Sequence, residues 1–200
     1  MGFNTRTASI TRYRVDGTIE GSFWDAVDSG VHAGAFKDGT NGDRRGFGWV
    51  SSQDFTDTSF AGTSYVHDDL IALSLRIDTV KVPGRLIELK LRERTKEVLE
   101  VTGQRRLSVA QRRELKDQIK EALSSQALLN IQVHDLVWNT GESVVYLASL
   151  SQQVREDVQS HFKTCFGIKI VPLIPYSRAV EMMPAADRHR LEALSPTMFR

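Results

Sequence analysis

Six stretches of the chain have the hydrophobic pattern of β-strands, either because apolar and polar side chains alternate or because apolar residues are dense. They are residues 8–15, 47–50, 70–78, 131–138, 143–148 and 168–174. The turn sequence Asn139-Thr140-Gly141-Glu142 predicts that the fourth and fifth strands form a hairpin. Pro172 and Pro175 indicate that the last strand lies at a sheet edge, since proline cannot donate a ladder hydrogen bond.

Four other stretches repeat apolar residues with the spacing of an α-helix. They lie at 23–31, at 84–101, from Ser108 onward and at 151–166. Residues that typically cap helices bound three of them, namely Pro83, Gly103, Ser108 with Gln111, Ser151 and Gly167. Residues 37–46 and 51–67 are predicted loops, a short helix is predicted from Tyr176, and a loosely attached polar stretch from Met183.

The predicted order of elements is β-α-β-β, then two adjacent helices, then β-β-α-β. This order is typical of the α+β class. We therefore predict a largely antiparallel sheet with helices on one face and an inserted basic helical hairpin. Residues 1–80 and 128–176 are expected to form one domain together, residues 81–127 the inserted hairpin, and residues 177–200 a C-terminal tail.

The composition is that of an ordinary globular protein. The 200 residues are 40 % hydrophobic and 26 % charged, which argues against a disordered chain. No apolar run is long enough to span a bilayer, and the N-terminal sequence has the pattern of neither a secretory signal nor a myristoylation site. The single cysteine, Cys165, permits no intrachain disulfide and fits a reducing compartment. We expect a cytoplasmic protein with no membrane partner.

The net charge of +1 hides a segregation of charge along the chain. Residues 76–120 hold 13 of the 26 basic residues and only 7 of the 25 acidic ones. The rest of the chain is slightly acidic, with 6 basic against 10 acidic residues before this segment and 7 against 8 after it. Segregated positive charge produces a field that attracts an anionic partner.

The basic residues of this segment recur at helical spacing beside apolar stripes. The apolar residues of the two predicted helices are Ile87, Leu91 and Val98 on the first and Leu115, Ile119, Ala122 and Leu123 on the second. Nine basic residues are the candidate contacts to an anionic ligand. They are Arg85, Arg92, Lys96, Arg105, Arg106, Arg112, Arg113, Lys116 and Lys120.

No Phe, Trp or Tyr occurs between Val66 and Val137. Proteins that bind single strands usually stack bases on aromatic side chains. The pattern therefore favours contact with the backbone of double-stranded DNA. Contacts to phosphate carry no sequence information, so little sequence specificity is expected. A solvated surface without a ligand is the alternative that the residues alone leave open.

A second arrangement suggests a magnesium-dependent nuclease. Asp78 followed by Glu88-Leu89-Lys90 resembles a motif in which two carboxylates bind magnesium and a lysine assists the attacking water. That chemistry requires the acid-x-Lys sequence on a strand, whereas Pro83 and the apolar spacing favour a helix. A nuclease is therefore the lesser alternative.

The other chemically active residues are expected to be structural. The five histidines (His32, His67, His134, His161 and His189) show no metal-ligand spacing, and Cys165 is expected in the core near a helix end. The loop 39–48 lacks the Gly-Lys-Ser/Thr ending of a phosphate-binding loop. Trp24, Trp49 and Trp138 are expected to be core or interface anchors. We predict no cofactor, no metal and no catalytic set.

Several short motifs, taken in their order, resemble the recombination-associated protein RdgC family. They are Gly48-Trp49-Val50, Leu75-Arg76-Ile77-Asp78 followed by Lys81-Val82-Pro83, Glu114-Leu115-Lys116-Asp117, Val137-Trp138 and Val171-Pro172-Leu173. The resemblance extends from about Ser9 to Pro175.

The resemblance implies a non-enzymatic, dimeric protein that binds double-stranded DNA without sequence preference and modulates homologous recombination. The long members of the family form a ring around the duplex and restrain recombinase loading, and they continue beyond the region that matches Pro175. The closed ring is therefore not carried over to this chain. The implied partners are the DNA backbone, a second copy of the chain, and a recombinase or nuclease, in the cytoplasm and at the nucleoid. The alternative from another class is a protein-interaction module whose basic hairpin docks an acidic nuclease or recombinase partner.

Overall fold

The secondary structure comes from a computed structural model that describes residues 3, 9–37 and 45–194. The strands are β1 (Thr11–Asp16), β2 (Arg45–Ser51), β3 (Val66–His67), β4 (Leu70–Val80), β5 (Leu129–Asn139), β6 (Val144–Leu147) and β7 (Lys169–Pro172). The helices are α1 (Phe23–Ala33), α2 (Gly84–Thr102), α3 (Val109–Gln126), α4 (Gln152–Phe166), α5 (Pro175–Met182) and α6 (Arg188–Glu192). Short 3₁₀ turns occupy Ala61–Thr63 and Ala185–Asp187. Most of the predicted loop at 37–46 and the end of the predicted tail lie outside the described residues.

The strands form one sheet of seven strands within the described residues, and this confirms the predicted α+β class. The order across the sheet is β2-β4-β5-β6-β1-β7, and β3 pairs with β4 beside this path. Strand β1 pairs antiparallel with β6 on one side (Thr11 opposite Leu147) and with β7 on the other. The predicted hairpin of the fourth and fifth strands is confirmed by the antiparallel pairing of β5 and β6. Strand β7 ends the order, where Pro172 indicated an edge, whereas Pro175 begins α5.

The sequence pattern did not predict β3, which lies in the predicted loop 51–67. Two residues are too few to show an alternation of apolar and polar side chains. The strand is held by its antiparallel pairing with the start of β4, where Val66 lies opposite Ile71 and His67 opposite Leu70. Its partner strand, not its own sequence, therefore determines its conformation.

The chain divides into two compact units. The first consists of Met1–Lys37, Phe47–Arg76 and Val133–Arg200, and the second of Asp38–Gly46 and Ile77–Gln132. The first unit therefore contains α1, α4, α5 and α6 with most of the sheet, and the second contains α2 and α3 with the ends of β4 and β5.

Helices α1 and α4 cover the same face of the sheet in the first unit. The Trp138 ring of β5 lies 5.5 Å from the ring of Phe23 and 5.1 Å from that of Phe162, one on each helix. Trp138 and Trp49 are buried, as expected for core anchors. Trp24 is different, because 46 % of its surface is exposed, and a core position for it is wrong. Its ring packs edge-on against neighbouring Phe23 at the start of α1.

Gly48 in β2 shows why the first unit packs closely around Trp49. A Cβ atom at this position would lie 2.5 Å from the Cα atom of Phe36, a backbone atom that cannot rotate away. The N–H of Phe36 donates to the carbonyl oxygen of Trp49 at 2.8 Å, and this bond holds the two segments together. Only glycine fits at this approach.

The second unit has a small core. Its buried apolar residues within the described ranges are Ile77 on β4 and Ile87 and Leu91 on α2. Helix α3 contacts α2, yet no described side chain of α3 is buried. The predicted apolar stripe of α3 is thus only partly covered: Leu115, Ile119 and Leu123 are half-buried and Ala122 is exposed.

Candidate nucleic-acid interface

Helix α2 begins and ends, and helix α3 begins, at the residues that the sequence indicated. Pro83 occupies the N-cap of α2, and Gly103 ends the helix in the left-handed conformation, with φ of 68°. Ser108 caps α3 through both bonds of a capping box: its Oγ accepts from the N–H of Gln111, and its own N–H donates to Gln111 Oε1. Because α2 ends before Gly103 and α3 begins after Ser108, a short connection that carries Arg105 and Arg106 lies between the helices.

All nine candidate basic residues are exposed. None of them forms an ion pair or a side-chain hydrogen bond with another described residue. The remaining basic residues of α2 differ in this respect, because Lys90 pairs with Glu93 and Arg94 with Glu97, each three positions along the helix. Arg76 is also engaged, since its guanidinium lies 4.3 Å from the centre of the Phe36 ring. The nine candidate residues therefore include every cation of α2 and α3 that has no ion-pair partner among the described residues.

Five of the nine residues line one groove between α2 and α3, with a volume of about 770 Å³. Arg92 and Lys96 come from α2, Arg105 and Arg106 from the connection, and Arg112 from α3. The acidic residues of the groove are Glu88 and Glu93. The lining is therefore strongly positive, and the Glu93 carboxylate is already bound to Lys90 at 2.9 Å.

The other candidates lie near this groove or apart from it. Arg113 and Lys116 join Arg112 in an adjoining depression of about 500 Å³. Lys120 lines a third depression with Lys81, a basic residue that the sequence pattern did not single out. Arg85 lines none of these surfaces. The helices thus bring seven of the nine residues into two neighbouring grooves that share Arg112.

An apolar floor in the groove was not predicted. Leu91, Leu99 and Leu107 line it together with Leu89, of which 52 % remains exposed. The eight-residue spacing of Leu91 and Leu99 was a visible signal, because it places both on one face of a helix. Leu107 gave no such signal, since it follows the turn that ends α2.

The structure does not form the arrangement that a magnesium-dependent nuclease of the proposed type requires. Glu88 and Lys90 lie on helix α2 rather than on a strand, so their side chains leave the backbone in different directions. The ammonium of Lys90 binds Glu93, and this hydrogen bond raises the pKa of Lys90. Within the described ranges, no group of three or more His, Cys, Asp or Glu residues could hold a metal ion.

His161 and Cys165 pack together on α4, where both are half-buried. The Nε2 atom of His161 lies 3.0 Å from the carbonyl oxygen of Gly34 and 3.6 Å from the Sγ atom of Cys165. Burial lowers the pKa of His161, and burial raises the pKa of the Cys165 thiol. A neutral, half-buried thiol is a poor nucleophile.

Comparison with known protein families gives a match over most of the chain. A protein-family model described as "Putative exonuclease, RdgC" matches residues 8–185 of the 200-residue chain. A search of curated proteins found no match. In the part of the chain that the structure describes, no helix combines the length and the apolar character needed to cross a membrane.

Proposed function

This chain belongs to the RdgC family, and from that premise we propose that it is a non-enzymatic protein that binds double-stranded DNA and modulates homologous recombination. The binding surface comprises the nine basic residues of α2, α3 and their connection. The protein acts in the cytoplasm at the nucleoid, as a homodimer, and its DNA binding limits the access of a recombinase or nuclease.

The exposure of nine basic side chains without a described ion-pair partner carries this proposal. Each cation that reaches a phosphate releases a counterion, which makes binding favourable at low salt. A structural role for these residues would lead us to expect carboxylate partners like those of Lys90 and Arg94.

The kind of DNA follows from the side chains that accompany these cations. No Phe, Trp or Tyr lies between Val66 and Val137, so the surface offers no ring on which an unpaired base could stack. Phosphate contacts position a protein on the duplex without reading bases. We therefore propose binding to duplex DNA of any sequence.

The decisive measurement is the affinity for a labelled duplex at several salt concentrations, with and without magnesium. If between five and nine phosphates are neutralised, log K falls against log salt with a slope of about −4.5 to −8. The DNA is expected to stay intact in both conditions. Absence of binding at low salt would refute the proposal and favour a module that docks an acidic protein partner.

A pair of charge reversals tests the binding surface. Arg112→Glu with Lys116→Glu is expected to weaken binding to all duplex sequences alike, because each change replaces an attraction to phosphate by a repulsion. Lys163→Glu with Lys169→Glu is the matched control, since both lysines are exposed and lie in the first compact unit. This control changes the net charge of the protein by the same amount as the test variant. Equal losses in both double variants would show that net charge, not this surface, determines binding.

A magnesium-dependent nuclease is the second candidate, because the description of the matched family names an exonuclease. The same duplex assay tests it directly. Cleavage that requires magnesium and is abolished by Glu88→Gln would establish it and overturn the non-enzymatic proposal. Glu100→Gln, an exposed carboxylate on the same helix that does not line the groove, is the matched control.

Homodimer formation is measured separately by sedimentation equilibrium. A mass of twice 22.5 kDa is expected at micromolar concentration. A monomer that still binds DNA would overturn the dimer and leave the binding surface intact.

A further inference from the structure

The groove between α2 and α3 has an apolar floor that contact with DNA phosphates does not use. Leu91 is buried there, Leu99 and Leu107 are half-buried, and Leu89 is largely exposed. Phosphate oxygens are recognised by cations and hydrogen-bond donors, not by leucine. A leucine that stays exposed on a concave surface costs free energy that a bound apolar group would recover.

The dimensions of the groove suit a short helix. Its lining on α2 runs from Glu88 to Leu99, three turns that extend over about 16 Å. An amphipathic helix that docks in a groove uses apolar anchors at i, i+3, i+4 and i+7, which occupy about two turns.

The charged residues that line the groove, here called its rim, determine which kind of partner helix can bind. The five cations of the groove exceed its two carboxylates, and one of these, Glu93, is bound to Lys90. A basic partner would be repelled, and a neutral one would gain nothing from the rim. We propose that this groove binds an acidic amphipathic helix of a partner protein, with apolar side chains on the leucine floor and carboxylates against the rim.

Such a partner would regulate the DNA-binding surface, a part of the inference that rests on the proposed function. The carboxylates and the DNA phosphates require the same side chains, among them Arg92, Arg106 and Arg112. The two ligands therefore compete. A partner that presents this helix would release the protein from DNA.

The probe is a fluorescent peptide of four helical turns with leucines at i, i+3, i+4 and i+7 and glutamates at most other positions. A peptide of the same composition in scrambled order serves as its control. Fluorescence anisotropy is expected to show about tenfold tighter binding of the patterned peptide, because only its leucines reach the floor together. Equal affinity for both peptides would overturn the proposal, since charge alone would then explain binding.

Leu89→Asn tests the floor itself. This substitution is expected to lower affinity for the patterned peptide about tenfold while circular dichroism shows unchanged helix content. Val101→Asn is the matched control, because Val101 is 87 % exposed on the same helix and does not line the groove. Equal effects of the two substitutions would refute the role of the leucine floor.

Displacement separates this inference from the proposed function. An excess of the patterned peptide is expected to release a labelled duplex, and the scrambled peptide is expected to release less. Simultaneous binding of both ligands would overturn the competition. Peptide binding without any duplex binding would refute the proposed function and support the groove, whereas duplex binding without peptide binding would refute only the groove.

Discussion

Arg92 and Arg94 are the same residue type two positions apart on α2, yet their surroundings differ. Arg94 has Glu97 three positions along the helix and pairs with it, whereas Arg92 lines the groove and has no ion-pair partner among the described residues. Helical spacing alone does not predict this difference, because Glu88 lies four positions before Arg92 and side chains at i and i+4 are also neighbours. The ion pairing of individual cations on these helices was therefore not accessible from the sequence.

Alanine substitution of these two arginines gives different expected results. Arg92→Ala should weaken duplex binding and reduce the slope of log K against log salt by about 0.9, since one phosphate contact is lost. Arg94→Ala should change the slope less, because its guanidinium already binds a carboxylate and the exposed pair contributes little stability. Measurement of affinity across a salt series checks both. Identical slopes in the two variants would contradict the assignment.

His161 makes the stability of the first compact unit depend on pH. Burial holds the pKa of His161 below its ordinary value of 6.5, so the unfolded chain binds a proton more readily than the folded one. The contribution of His161 to the free energy of unfolding is therefore complete above pH 6.5 and is lost as the pH falls through the lowered pKa of His161. The buried ring of His134 acts in the same direction.

His161→Gln is expected to reduce this acid-induced loss of stability, because the substituted side chain does not titrate. The measurement is the melting temperature at a series of pH values from neutral to mildly acidic. Thr164→Ala on the same helix is the control. Thr164 is an exposed neighbour that does not titrate, so its substitution should leave the pH dependence of stability unchanged. An undiminished pH dependence in His161→Gln would show that other groups cause it.

At the scale of elements, the helix ends were predictable and the degree of helix burial was not. Gly103, Ser108 and Gly167 end or begin helices where the sequence indicated, because caps depend on hydrogen bonds within a few residues. The half-burial of α3 and the leucine floor depend on how two helices meet. Periodicity shows which residues share a face, but not how completely another element covers it.

Ser108→Ala is expected to destabilise α3 by about 1 kcal/mol, because the N–H of Gln111 loses its acceptor. A small core makes the second compact unit sensitive to such a loss. Circular dichroism during thermal unfolding provides the measurement. Ser125→Ala is the control, since Ser125 is exposed near the other end of α3 and only its own hydroxyl bonds the Ala122 carbonyl. Equal stability of Ser108→Ala and the unsubstituted protein would contradict the capping box.

At the scale of the whole molecule, the order of elements predicted the α+β class but not the neighbours in the sheet. Strand β1 lies between β6 and β7, which are distant from it in sequence. Alternation tells which face of a strand is buried, whereas its partner is set by contacts across the chain. The separation of charge was visible in the sequence, since it is a property of composition along the chain. Its assignment to one binding surface remains a prediction.

This separation of charge from aromatic residues predicts a preference among nucleic acids. Duplex DNA is expected to bind more tightly than single-stranded DNA of equal length, because the basic helices offer phosphate contacts without stacking. Trp24 provides a second readout, since it is exposed while Trp49 and Trp138 are buried. Single-stranded DNA should leave tryptophan fluorescence nearly unchanged. Strong quenching together with tighter single-strand binding would contradict duplex backbone recognition.

The lack of buried side chains among the described residues of α3 has a kinetic consequence. Helices with little buried apolar surface open locally at low free-energy cost, so the amide protons of α3 should exchange with solvent faster than those of α4, which buries Val154, Val158, Phe162 and Phe166. A ligand that binds the α2–α3 hairpin only when α3 is folded suppresses this local opening. The suppression grows with the fraction of protein that has bound the ligand. Slower amide exchange in α3 would then report occupancy of the hairpin, while exchange in α4 stays unchanged.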